Sequence, residues 1–79
     1  MKKILKHLFG SHSKPNLEEL DPFYRETVSE FPEKVRLQYC ENLLGRLTYD
    51  LKETNNIIQI RHLKQKIGAV EREIGKIKS

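Results

Sequence analysis

Seventy-nine residues, a third of them charged and 37% apolar, suffice for one small domain whose core needs outside support from a disulfide, a metal, a second copy or a partner. Cys40 is the only cysteine, which excludes an internal disulfide, and His7, His12 and His62 share no ligand spacing with it, so neither a structural metal nor a cofactor is expected. The net charge of +4 falls within residues 1–16, through Lys2, Lys3, Lys6 and Lys14, while residues 17–79 balance to zero, unlike a uniformly basic nucleic-acid binder.

The pattern divides the chain into a basic leader with a linker, residues 1–16, and one small helical domain, residues 17–79. At about 100° per residue, Met1, Ile4, Leu5 and Leu8 share a face with Phe9 at its edge, opposite Lys2, Lys3, Lys6 and His7. Nine residues are too few to hold a helix alone. The leader has two readings. It is a solvated tail, or it meets an anionic membrane surface or a protein groove through Lys2, Lys3, Ile4, Leu5, Lys6, Leu8 and Phe9. It does not read as a signal peptide, because Lys6 and His7 interrupt its apolar region and Gly10 ends it. No apolar run approaches the roughly 20 residues of a membrane span. The expected location is cytoplasmic, with peripheral attachment to the inner membrane face as the alternative. Gly10 to Asn16 reads as a flexible linker.

Asp21-Pro22 is a helix start, a capping residue followed by a proline at the first helical position. It predicts a short helix over about 22–30, with Phe23 and Val28 or Phe31 facing the core and Tyr24 near the edge. Pro32 ends that segment and opens a second helix to about residue 53. Its apolar positions Leu37, Cys40, Leu44, Leu47 and Leu51 follow a 3-4-3-4 spacing, widened by Val35 and Leu43, with Gly45 inside. Thr54-Asn55-Asn56 is a break, and Asn56 with Gln59 has the form of a capping box. The last helix, about 57–78, carries a coiled-coil-type seam of Ile60, Leu63, Ile67, Val70, Ile74 and Ile77. Within it Ile67-Gly68-Ala69-Val70 is echoed by Ile74-Gly75-Lys76-Ile77.

One continuous helix from 32 to 78 conflicts with phase. Extending the first seam beyond Leu51 lands on Ile58, Arg61 and Gln65, two residues and about 200° away from the observed stripe. Folding about Asn55 and Asn56 instead sets Leu51 beside Ile60, Leu47 beside Leu63, Leu44 beside Ile67, Cys40 beside Val70 and Leu37 beside Ile74. The expected fold is therefore all-α: an antiparallel helical hairpin with a short preceding helix, completed by dimerisation into a bundle.

No glycine-rich phosphate loop, zinc spacing or nucleophile–base arrangement is present, and Cys40 falls on the core face, so no enzymatic activity is expected. The leading expectation is a non-enzymatic protein–protein interaction module acting as a regulator, inhibitor or adaptor, with an unidentified protein partner and a homo-oligomeric state. Membrane attachment through residues 1–9 is the alternative. Weak nucleic-acid binding comes third, because Arg61, Lys64, Lys66, Arg72, Lys76 and Lys78 scatter around the last helix with no aromatic residue among them. Tyr39, Tyr49 and the strip of Gly68 and Gly75 are further candidate contact surfaces. The acidic stretch 17–33 and the basic stretch 57–79 are expected to pack together and relieve each other's charge.

Overall fold

Asn16 caps the first helix among the described residues. The computed structural model describes residues 14–79. The Asn16 side chain accepts from the Glu19 amide at 2.9 Å, and the Asn16 amide donates back to Glu19 Oε1 at 2.9 Å. This reciprocal capping box starts helix α1, Leu17–Leu20. The sequence reading places Asn16 in the linker and misses this turn.

Asp21 then caps α2, Pro22–Glu26, by accepting from the Phe23 and Tyr24 amides at 3.1 and 3.2 Å. The single helix expected over 22–30 is interrupted at Thr27, and a 3-10 turn follows at Val28–Glu30. Its interior also differs from expectation. Tyr24 is fully buried and Val28 nearly so, while Phe23 and Phe31 are exposed. Leu17, Leu20, Tyr24 and Val28 recur at three- and four-residue intervals and form the inward stripe of residues 17–30. Phe23, one position away, leans on the outside of Tyr39 with ring centroids 5.9 Å apart.

Helices α3, Glu33–Glu53, and α4, Ile57–Lys78, form the long pair anticipated from the two seams. Pro32 supplies the N-cap position of α3. The connection, Thr54 to Asn56, is stitched by side chains. Asn56 Oδ1 accepts from the Ile58 and Gln59 amides at 2.9 and 3.1 Å. The expected box is modified at its second half. The Asn56 amide donates to Thr54 Oγ1 at 3.2 Å, and the Thr54 hydroxyl donates to Gln59 Oε1 at 2.8 Å. Thr54 thus stands between the two members of the box, which ties the end of α3 to the start of α4.

The buried cluster combines Cys40 and Leu47 of α3, Ala69, Val70 and Ile77 of α4, and Leu17, Tyr24 and Val28 of the N-terminal segment. Leu37, Leu44, Leu63, Ile67 and Ile74 pack against it in part. Residues 17–30 therefore act as a cover laid across the two long helices, contacting α4 through α1 and α3 through the 3-10 turn. Each side chain of the Leu or Val class that is buried fully contributes roughly 1.5–3 kcal/mol. The cover supplies three of the eight buried apolar residues among the described residues, a large share for a core this small.

Candidate interaction site

The cover is locked by polar contacts as well as apolar ones. The Tyr24 hydroxyl donates to Glu73 Oε2 at 2.6 Å in the interior, the length of a charge-assisted O–H···O⁻ bond. The Tyr39 hydroxyl donates to Asp21 Oδ2 at 2.6 Å, so one carboxylate both caps α2 and clamps α3. Arg72 Nη2 donates to the Pro15 carbonyl at 2.8 Å and pins the start of the cover to α4. Among the described residues, no buried side-chain nitrogen or oxygen lacks a partner.

These contacts set the acid–base character of the interior. Burial, and then the hydrogen bond to Glu73, hold the Tyr24 hydroxyl well above its ordinary range. Tyr39 is raised in the same way by burial and by Asp21. Burial and the negative charge of Glu73 push the Cys40 thiol up, which keeps it protonated and unreactive.

Glu73 is the buried residue that pattern reading misses. It lies three positions after Val70 and four before Ile77, on the face of α4 that meets the cover, but its charge hides it among the solvated residues. Tyr24 and Leu17 share a three- and four-residue spacing with Leu20 and Val28, but the stripe is too short to single them out before the packing is known. Ala69, also buried, is too small to mark a seam.

The eleven seam residues share one interior unevenly. Cys40, Leu47, Val70 and Ile77 are buried, and Leu37, Leu44, Leu63, Ile67 and Ile74 are half-buried against them. Leu51 and Ile60, at the turn, are also half-buried, but they lie outside the buried cluster and its packed neighbours. The cover stops short of this end. Beyond Leu20 the space between α3 and α4 opens into a trough of about 780 Å³, with Leu20 and Leu63 as its apolar residues. Asp50 and Glu53 line its α3 side, Thr54 lies at the turn, and Gln59, His62, Gln65 and Lys66 line its α4 side. Close by in sequence, Ile57 and Ile58 are 69% and 61% exposed.

The remaining candidates fall elsewhere. Tyr39 is half-buried beneath Phe23, and Tyr49 is exposed on the outside of α3. A methyl group at Gly75 would meet nothing within 4 Å, and one at Gly68 would meet only Arg72 Nη1 at 3.4 Å, so the two glycines line no close approach. The leader residues Lys2, Lys3, Ile4, Leu5, Lys6, Leu8 and Phe9 lie outside the described residues. The expected charge relief takes another form. Among the described residues the ion pairs are Arg25–Glu26 and Lys76–Glu73, each between neighbours in sequence, so the cover and α4 are joined by hydrogen bonds rather than by ion pairs. Asp50, Glu53 and Lys66 of the trough form none.

Among the described residues no group of three His, Cys, Asp or Glu side chains is placed to hold a metal ion, and no helix is long and apolar enough to cross a membrane. No protein-family model matches the chain, and neither the curated proteins nor the solved structures contain a match.

Proposed function

We propose that this chain is a non-enzymatic helical protein–protein interaction module, a regulator, inhibitor or adaptor, which receives a short amphipathic helix in the trough at the turn end of its hairpin. One observation carries the reading. The third layer of the bundle, residues 17–30, covers the half of the hairpin around Cys40 and Val70 and ends at Leu20, while the half around Leu51, Ile60 and Leu63 has no third element over it among the described residues. Two helices alone do not enclose a core.

The lining favours one kind of occupant. An apolar stripe meets Leu20 and Leu63, and a basic flank meets Asp50 and Glu53. Recognition of this kind places the apolar anchors of a helix into a groove between helices. A second copy offering its own turn-proximal seam is one partner of the required shape, and that arrangement makes a homo-oligomer.

The test is affinity capture from the native host with the full chain and with a variant carrying Asp50→Lys and Glu53→Lys, followed by cross-linking to map the contacted segment. The reading predicts an amphipathic helix with a Lys/Arg flank joined to the trough, and capture reduced at least tenfold by the charge reversal. Capture unchanged by the reversal, or a contact mapped to the outer face of α3, overturns it.

A further inference from the structure

The trough carries acid on its α3 wall, at Asp50 and Glu53, and base on its α4 wall, at Lys66. We propose that its occupant is the trough of a second copy of this chain, the two packing turn end on turn end across a two-fold axis with their hairpins crossed. This rests on the reading of the trough as the docking site and names its partner.

Charge supports it first. Glu53 is the last residue of α3, at the turn. Lys66 lies nine positions beyond Ile57, the first residue of α4, or about 13 Å along the helix. The two charges therefore stand at diagonally opposite corners of the trough, and neither joins the ion pairs of the described residues. A two-fold axis along the other diagonal exchanges those corners. It lays Glu53 of each chain on Lys66 of the other, so a single contact makes two ion pairs. A foreign helix would have to match both signs independently, whereas a second copy matches them by symmetry.

Apolar surface supports it next. The axis passes through the corner formed by the turn end of α4. Ile58 stands there, 61% exposed, one turn before His62 on the edge of α4 that also carries Gln65. On the axis it meets Ile58 of the second copy, and an apolar side chain that one chain leaves in water is covered. Layering agrees with both. The turn end has no third element over it among the described residues, and the helices of the second copy supply one. Crossing the hairpins keeps the two covers, each on the far half of its own chain, apart.

Sedimentation velocity of the full chain over a range of concentrations tests this, with charge-swapped variants as the comparison. The wild type is expected to dimerise. Glu53→Lys sets a lysine against Lys66, and Lys66→Glu sets a glutamate against Glu53, at both contacts in each case. Each variant alone is expected to dimerise at least tenfold more weakly. An equimolar mixture of the two restores opposite charges at both contacts and is expected to recover the dimer as a one-to-one pair. Ile58→Asp is expected to weaken the dimer at least tenfold as well while keeping the helical circular dichroism, because an acidic residue suits the first turn of α4. A wild type that stays monomeric at every concentration, single reversals without effect, or a mixture that does not recover the dimer overturns the second copy. If partner capture is then still lost on charge reversal of Asp50 and Glu53, the trough belongs to a foreign helix. If capture is also indifferent to that reversal, the trough falls as a site too.

Discussion

Tyr24 and Glu73 form the contact on which the cover depends most, because each satisfies the other in the interior. Removing one partner leaves a buried polar group unpaired, at a cost of roughly 1–3 kcal/mol. Tyr24→Phe and Glu73→Leu are each expected to destabilise by that amount in urea unfolding, and the double variant by clearly less than their sum. Lys76 tempers the effect of Tyr24→Phe little, since its ammonium is largely exposed and 3.6 Å from Glu73 Oε1. The tyrosines also set an alkaline limit. Both are raised above the unfolded value of about 10, so the unfolded chain releases these protons first as pH rises. Their stabilising contribution is full below about pH 10 and falls as pH rises beyond it. Urea midpoints measured between pH 8 and pH 11 are expected to drop steeply at the top of that range, and less steeply in Tyr39→Phe. At this scale the sequence is only partly legible. Spacing identifies a seam, but a glutamate on the inner face of a helix looks like a solvated residue until its tyrosine partner, 49 residues away, is known.

At the level of elements, the two long helices were legible because each carries five or more apolar positions in phase and the phase breaks at Asn55 and Asn56. The short elements were less so. Residues 17–30 hold one or two inward residues per element, too few for periodicity to separate Tyr24 from Phe23, and only the packing against Cys40 and Val70 decides. The caps at Asp21 and Asn56 were legible, whereas Asn16 with Glu19, of the same form as Asn56 with Gln59, reads as linker. Glycines test the helices independently. A methyl group at Gly45 meets nothing within 4 Å, and this site lies in the middle of α3. Gly45→Ala is therefore expected to stabilise by roughly 0.5–1 kcal/mol, raising the urea midpoint without changing the slope of the transition. Gly68→Ala should gain less, since the new methyl group presses on Arg72, which holds Pro15. Asn56→Ala should cost about 1 kcal/mol through loss of the cap on α4.

For the molecule as a whole, the unevenness of the covering matters more than the hairpin itself. That the two long helices pack together was readable in the sequence. The place where the third layer ends was not, because it depends on the chain turning back after Leu20 so that Asp21 reaches Tyr39. That reversal leaves the core around Cys40, Leu47 and Val70 closed and the turn end open. The opening is the site through which the protein is proposed to act, and photo-cross-linking tests it most directly. A benzoylphenylalanine in place of His62, on the wall of the trough, is compared with one in place of Gln38, which is exposed on α3. Irradiation of the full chain in host extract is predicted to give adducts from position 62 to a partner helix, and none above background from position 38. Equal labelling from the two positions, or labelling from position 38 alone, would contradict the account.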